Sequence, residues 1–459
     1  METLRRNGLA DRRHGGSGPG EACGPAPVRE VASVRQTASV RQTASVREMQ
    51  AKPAKRLVFH VGGYDPPGPE AVHRRFLREL RRFERTWSAE ACTSELEVGA
   101  DMAAWRVATS GPNWHIETDC RLVRWDDVIA AAGRQPSWRR IPHGLLACLD
   151  FVAGGALRGY FRTNWRYALF FLYPFLLFAA LAALAAFIGA RTADVLESGP
   201  AGAAAGALAF AALLRWAGRK LHLWHLFDDW IFARAYLRRG DPVIDARLDR
   251  IAREIVRAAR EREADEILVV GHSLGAVLAM DLVARALRLD PALGRHGPRV
   301  AFVTVGSSIL KVGLHRGAKR FQAAVERVAS APGVFWAEYQ ALTDVMNFYK
   351  TDPVAAMGLA TGGPVTRVVR ISRMLDPSFY RRVRRNFFRL HNQFVSANDR
   401  RAAYDYFMLL CGPLSAERQV RLPEGAGSAI GPDGALLDGA LLDEPDPAEP
   451  ATARPAEVA

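Results

Sequence analysis

A long uncharged apolar segment near the middle of the chain constrains the fold most strongly. Residues 167–190 carry no charged side chain and read YALFFLYPFLLFAALAALAAFIGA. As an α-helix this segment would be ~36 Å long at ~1.5 Å per residue, enough to cross a hydrocarbon layer of ~30 Å. We therefore expect a membrane-spanning helix at about residues 168–190, in which Pro174 is tolerated because a spanning helix can kink.

A second, weaker apolar segment follows at about residues 199–216. Its many Ala and Gly residues suit close packing against the first helix, but the segment is only marginally hydrophobic. We interpret it as a second spanning helix, with a re-entrant or interfacial segment as the alternative. Together the two segments predict a transmembrane hairpin within residues 161–220, and the lipid bilayer as a partner.

The charges around the hairpin predict its orientation. The connection between the two helices carries Arg191 together with Asp194 and Glu197. Only basic residues lie close to the hairpin on its outer sides, namely Arg158, Arg162, Arg166, Arg215, Arg219 and Lys220. Basic residues favour the cytoplasmic side, so we expect a two-helix, multi-pass membrane protein whose domain outside the membrane lies in the cytoplasm.

The net charge of +14 does not indicate a nucleic-acid partner. Arg and Lys are spread over helices and membrane flanks instead of being interleaved with aromatic residues in one block. A basic face near anionic lipid headgroups accounts for the same charge, so we expect no nucleic acid as a partner.

The pattern outside the hairpin predicts an α/β domain between two disordered tails. Short β-rich runs alternate with helical ones from residue 53 to 160 and again from 221 to 415, which is typical of a mostly parallel sheet covered by helices. A polar hexapeptide repeat dominates residues 1–52, and residues 416–459 are rich in Gly, Pro, Asp and Glu. We expect both terminal segments to be disordered.

The segment Gly271-His272-Ser273-Leu274-Gly275 joins an apolar strand to a helix. Residues 267–270 read ILVV before it, and an amphipathic run follows it to Arg288. An abrupt strand-to-helix turn forces strained backbone angles that the flanking Gly271 and Gly275 permit, and it exposes the Ser273 hydroxyl. This context favours a nucleophilic serine over a bystander serine in a glycine-rich turn.

This segment resembles the nucleophile elbow of the α/β-hydrolases, particularly of lipases and esterases. The resemblance covers about residues 56–130 and 220–412. It implies an α/β-hydrolase fold with an inserted hairpin, and an oxyanion hole formed by the Leu274 amide and by a loop after an earlier strand. Val58 to Asp65 looks like that strand and loop, which leaves the second donor open between the amides of Gly63 and Tyr64. A glycine-rich connection without such a role is the alternative.

The resemblance also implies an acid after a later strand and a histidine near the end, in the chain order Ser, Asp, His. Residues 334–340 are expected to form a strand, and Asp344 follows it closely, with Asp352 eight residues later. A carboxylate just beyond a strand can fix the tautomer of the catalytic imidazole, so we choose Asp344 and keep Asp352 in reserve. Either could instead cap a helix. His391 has the position that the order requires.

The expected function is therefore a membrane-anchored serine hydrolase that cleaves an ester-type bond of a small-molecule or lipid substrate through an acyl-enzyme. No metal or cofactor is expected, because the glycine-rich loops lack the spacings of nucleotide-binding motifs. The alternatives are a catalytically silent binding or assembly protein of the same fold, and a thioesterase or peptidase with the same triad.

Overall fold

The computed structural model describes residues 54–437, apart from residue 239. The predicted N-terminal tail, residues 1–52, lies outside this part, as do residues 438–459 of the tail predicted at 416–459. Within it, nine strands form one sheet: β1 (Lys55–Val61), β2 (Glu90–Thr93), β3 (Glu97–Val98), β4 (Met102–Gly111), β5 (Trp114–Val123), β6 (Glu266–His272), β7 (Arg299–Val305), β8 (Val334–Ala341) and β9 (Val365–Val369).

The α-helices in chain order are α1 (Pro69–Trp87), α2 (Asp126–Gly133), α3 (Ser137–Ala153), α4 (Ala156–Thr163), α5 (Trp165–Leu196), α6 (Gly199–Lys220), α7 (Leu223–Arg238), α8 (Pro242–Arg260), α9 (Gly275–Leu289), α10 (Ile309–Gly313), α11 (Lys319–Ala329), α12 (Pro353–Ala356), α13 (Ile371–Met374), α14 (Pro377–Val383), α15 (Phe387–His391), α16 (Tyr406–Cys411) and α17 (Ala416–Arg421). Short 3-10 turns occur at Asn392–Val395 and Gly425–Ser428.

The central sheet has the order β2-β4-β5-β1-β6-β7-β8-β9, and β3 pairs with β4. All pairings from β5 to β9 are parallel. This confirms the predicted mostly parallel α/β architecture. Strands β4 and β5 form an antiparallel hairpin, because the short turn between them leaves no room for a crossover.

Both faces of the sheet are buried, which explains the near-continuous apolar runs in its parallel strands. Alternate residues of β1 enter two separate cores, with Phe59 on one side and Val58 on the other. Helices α8, α9 and α11 cover the first face, and α1 and α16 cover the second. Helix α9 is buried along almost its whole length.

Helices α5 and α6 form an antiparallel hairpin, and both are long and apolar enough to span a membrane. They pack as closely as their small residues predict, because a Cβ on Gly202 would lie 2.6 Å from the carbonyl oxygen of Gly189. The start of α5 is fixed to the α/β domain, since Asn164 Nδ2 donates to the carbonyl of Asn347 at 2.9 Å. A third apolar cluster joins α5 and α6 to α3, α4 and α7.

The expectation that disorder begins at residue 416 is wrong for residues 416–437. This stretch forms α17 and a turn that buries Ile430 and Leu436. Trp114 Nε1 donates to the carbonyl of Gly434 at 2.8 Å, and a Cβ on Gly434 would lie 2.3 Å from the carbonyl oxygen of Ser88. The composition of residues 416–437 is typical of a solvated tail. Their few apolar residues become buried only through contacts with distant parts of the chain, which composition does not indicate.

A buried ion pair yields the first testable prediction. Arg56 lies 2.6 Å from Glu266, and both side chains are fully buried. Arg56→Met would leave the Glu266 carboxylate buried without its cation, so we expect the free energy of unfolding to fall by about 3–5 kcal/mol in urea titrations of the detergent-solubilised protein.

The matched control is Arg421→Met, which removes a half-exposed ion pair with Glu417 and should cost at most ~0.5 kcal/mol. Replacing both Arg56 and Glu266 by Met should recover part of the stability lost in Arg56→Met, because no buried charge then stays unpaired. Equal losses in Arg56→Met and Arg421→Met would contradict this account.

Candidate active site

Ser273 lies in a sharp turn between β6, which ends at His272, and α9, which begins at Gly275. Its φ of +54° is in the left-handed region, which costs an L-residue on the order of 1 kcal/mol or more. The Ser273 amide donates to the carbonyl of Val305 at 3.2 Å, and its carbonyl accepts from the amide of Ser308 at 3.1 Å. The backbone of this strained residue is therefore fixed by the end of the neighbouring strand.

The two glycines flanking the turn are required by close contacts. A Cβ on Gly271 would lie 2.6 Å from Cα of Ala276, inside the first turn of α9. A Cβ on Gly275 would lie 2.1 Å from the carbonyl oxygen of Gly62, in the loop after β1. Gly275 thus allows α9 to pack against that loop. This long-range contact adds to the predicted local role of Gly275, which is to permit the strained turn.

His391 and Asp344 form a buried pair. His391 Nδ1 lies 2.7 Å from Asp344 Oδ2, and the two residues are 4% and 1% exposed. The other carboxylate oxygen, Oδ1, accepts from the Met346 amide at 2.9 Å. Asn347 stabilises the turn, because its Nδ2 donates to the carbonyl of Asp344 at 2.9 Å. One oxygen of Asp344 is therefore free to fix the orientation of the imidazole.

Asp352 has a different role. Its side chain caps α12, accepting from the amides of Val354 at 2.7 Å and Ala355 at 3.1 Å. The structure thus brings Asp344, and not Asp352, to His391. The sequence left this choice open because both residues follow β8, at three and eleven positions after Ala341.

The second ring nitrogen of His391 is buried and has no hydrogen-bond partner among the described residues. Gly306 makes room for the ring, because a Cβ there would lie 3.1 Å from His391 Cε1. Ser273 and His391 line the same cavity, without a hydrogen bond between them. Proton transfer between these two side chains would require them to approach each other further, as is common for candidate catalytic groups without substrate.

The expected oxyanion donors lie around Ser273. Leu274 directly precedes the first residue of α9, where the helix dipole favours negative charge. Gly63 approaches Ser273 closely, since a Cβ on Gly63 would lie 3.5 Å from Ser273 Oγ. The amides of Leu274, Gly63 and Tyr64 have no hydrogen-bond acceptor among the described residues. These amides are thus available to a negatively charged oxygen, and the choice between Gly63 and Tyr64 stays open.

Two further histidines, His272 and His60, line the same cavity as Ser273 and His391. The ring of His272 packs against His391 with centroids 4.7 Å apart. Burial, followed by the nearby His391, His60 and Arg75, holds the pKa of His272 well below its usual value. Burial and the charge of Arg75 lower the pKa of His60 to about 4. Both His272 and His60 are therefore neutral near pH 7, and neither carries a positive charge that would oppose a charged His391.

The site opens into a cavity of about 450 Å³. The loop after β1 forms one wall and α15 another. The apolar helix α5 and helix α7 also contribute side chains to the cavity wall. Local sequence patterns did not show which of their residues line it. The lining includes Gly62, Gly63, Tyr64, Arg75, Tyr167, Phe170, His225, Leu226, Asp229, Ser273, Lys311, Phe388 and His391.

Lys311 and Asp229 form an ion pair in this wall that sequence analysis missed. The Lys311 ammonium also lies 3.9 Å from the ring centre of Trp230. Burial lowers the pKa of Lys311, while Asp229 opposes that shift. The pairing requires α7 to meet α10 across the fold, so no local pattern could have indicated it.

Comparisons with known proteins do not identify a family. No family model matches the chain, and no curated protein or solved structure gives a match.

In the described residues, no group of three or more His, Cys, Asp or Glu side chains is arranged to hold a metal ion.

The contact at Gly275 yields a prediction about stability. In Gly275→Ala, the new methyl group would collide with the Gly62 carbonyl, so α9 and the loop after β1 must separate. We expect the free energy of unfolding to fall by about 1–3 kcal/mol. Gly362→Ala is the control, because nothing lies within 4 Å of a Cβ at that position. Indistinguishable urea-unfolding curves for the two variants would refute the predicted collision.

Proposed function

We propose that this protein is a membrane-anchored serine hydrolase of the α/β-hydrolase type, which cleaves an ester-type bond. One observation carries the proposal. Ser273, in a left-handed conformation at a strand-to-helix turn, shares a cavity with a His391 ring whose Nδ1 is paired with the buried Asp344 carboxylate. A strained serine beside an oriented imidazole is the arrangement that acyl transfer requires.

The order of elements supports the same fold. The nucleophile candidate follows β6, the acid candidate follows β8, and the histidine follows β9. Their strands belong to the parallel part of the sheet, so their carboxyl ends meet at one edge. The α/β-hydrolases use this chain order of Ser, Asp and His.

The proposed reaction proceeds through a covalent intermediate. His391 Nε2 accepts the proton of Ser273 Oγ, and the oxygen attacks the carbonyl carbon of the ester. The amides of Leu274 and of Gly63 or Tyr64 stabilise the tetrahedral oxyanion. His391 then donates its proton to the departing alkoxide, leaving an acyl-serine. His391 next deprotonates a water molecule that attacks this ester, and the acid is released as Ser273 recovers its proton.

The cavity wall favours an amphipathic substrate. Tyr167 and Phe170 belong to the first turns of α5 and line the cavity with Phe388. The base of the proposed membrane hairpin would thus contact the apolar part of a bound ester. Both outer ends of the hairpin join the α/β domain, and their basic residues support a cytoplasmic location of that domain.

Labelling with a fluorophosphonate probe tests the proposal. The purified full-length protein in detergent should be labelled at one site per chain, and Ser273→Ala should abolish labelling. His391→Ala should slow it by at least about 10³-fold, because the hydroxyl loses its base. A folded wild-type protein that shows no labelling would contradict the proposal, and would favour a silent protein of the same architecture.

The two aspartates provide a matched comparison. Asp344→Asn should lower kcat for a model ester by about 10³–10⁴-fold, because the amide does not hold the imidazole in the required tautomer. Asp352→Asn should leave kcat within about twofold, since Asp352 only caps a short helix. The measurement is steady-state hydrolysis of a p-nitrophenyl ester. Equal losses in both variants would show that the pairing with His391 has no special role.

The apolar wall predicts a change in chain-length preference. Phe170→Ala should lower kcat/KM for decanoyl esters relative to acetyl esters by about tenfold, because the long chain loses an apolar contact. Leu169→Ala is the control, since the neighbouring Leu169 faces outward and is 48% exposed. The proposed role of α5 in substrate binding would be wrong if both variants kept the wild-type ratio.

A further inference from the structure

Helix α3 presents an apolar stripe on its exposed face. Trp138, Leu145, Leu149 and Val152 recur at helical spacing along this face, and Trp138 and Leu149 are 68% and 65% exposed. Leu146 is also exposed beside them. A helix on a water-facing surface normally turns polar side chains outward, so this face has the opposite polarity.

Two charged residues of α3, Arg140 and Asp150, point toward the protein, whereas Arg139 is exposed. Arg140 forms an ion pair with Asp228 of α7 at 2.7 Å. Asp150 forms a second ion pair with Arg234, which also belongs to α7, at 3.0 Å. Phe151 is fully buried and packs against Trp230 of α7, with ring centres 5.1 Å apart. The inner face of α3 is therefore fully occupied, and its outer apolar face has no contact within the described chain that would cover it.

The apolar surface continues toward the candidate membrane helices. Helix α4 follows α3 with a bend of 68° and exposes Phe161. It packs against α5, whose first residue, Trp165, is 58% exposed. Residues 138–165 thus form a surface, hereafter the α3–α4 surface, that leads directly into the first apolar helix.

The charge of this segment complements an anionic membrane surface. Residues 134–166 contain six Arg residues and a single acidic residue, Asp150, which is already paired. Arg139 lies over the exposed Trp138 ring at 4.8 Å. Exposed Trp and Leu beside Arg is the composition of helices that lie at a bilayer interface.

We propose that the α3–α4 surface is embedded in the interfacial layer of the bilayer that α5 and α6 cross. The stripe containing Trp138 and Leu149 would enter the boundary between headgroups and acyl chains, while the exposed Arg139, Arg158 and Arg162 contact lipid phosphates. The inference rests on the proposed membrane location of the hairpin but not on catalysis. The continuity with α5 and the basic flank favour lipid over a second copy of the chain as the occupant.

Fluorescence quenching by brominated lipids tests the placement. The full-length protein is reconstituted into phosphatidylcholine vesicles containing phosphatidylglycerol, with bromine at a shallow or a deep position of the acyl chains. The emission of Trp138 is obtained as the difference between wild type and Trp138→Phe. We expect this difference emission to be quenched at least twofold more by the shallow than by the deep bromines.

Two controls calibrate the experiment. Trp165, isolated in the same way with Trp165→Phe, should show a similar shallow position at the start of α5. The emission that Leu289→Trp adds to the Trp138→Phe protein should not be quenched, because exposed Leu289 ends α9, which runs from the cavity edge of the sheet to the opposite edge.

Each other outcome would overturn the interfacial placement. Stronger quenching by deep bromines would place the stripe in the hydrocarbon centre. An absence of quenching together with a red-shifted Trp138 emission would place the stripe in water. A blue shift that disappears on lipid dilution, without bromine quenching, would indicate a second copy of the chain. Repeating the measurement on Ser273→Ala separates this inference from the hydrolase proposal, because its outcome requires no activity.

Discussion

The contact between the start of α9 and the loop after β1 is the constraint on which the candidate site depends. A side chain at Gly275 would collide with the Gly62 carbonyl, so only glycine permits this approach. The same contact brings Gly63, one of the expected oxyanion donors, beside Ser273. The left-handed backbone of Ser273 persists because the buried helix α9 and the strand ends around it leave no alternative conformation of lower energy.

The central sheet accommodates the apolar hairpin without being interrupted. Strand β1 pairs with β5 on one side and with β6 on the other, although residues 124–265 separate β5 from β6 in sequence. The inserted helices can therefore leave and rejoin the fold next to β1, the strand that precedes the proposed oxyanion loop. Their packing places Tyr167 in the cavity that contains Ser273, which links a proposed catalytic site physically to a proposed membrane anchor.

The features that the sequence predicted well are those encoded by local patterns. Continuous apolar runs identified β1 and β6, and the uncharged stretch from residue 167 to 190 identified α5. The features that it missed depend on distant contacts. Residues 416–437 have the composition of a solvated tail, but the carbonyl of Gly434 accepts from Trp114, more than 300 residues away. The cavity walls and the Lys311–Asp229 pair also require elements that meet only in the folded chain.

The most direct test of the central claim is an experimental structure of the full-length protein after reaction with a fluorophosphonate. The account predicts a phosphonyl group bonded to Ser273 Oγ, with one phosphonyl oxygen within hydrogen-bond distance of the Leu274 amide and of the amide of Gly63 or Tyr64. His391 should remain paired with Asp344 and face the adduct. A well-ordered cavity without an adduct, or an adduct on another side chain, would contradict the assignment of Ser273 as the nucleophile.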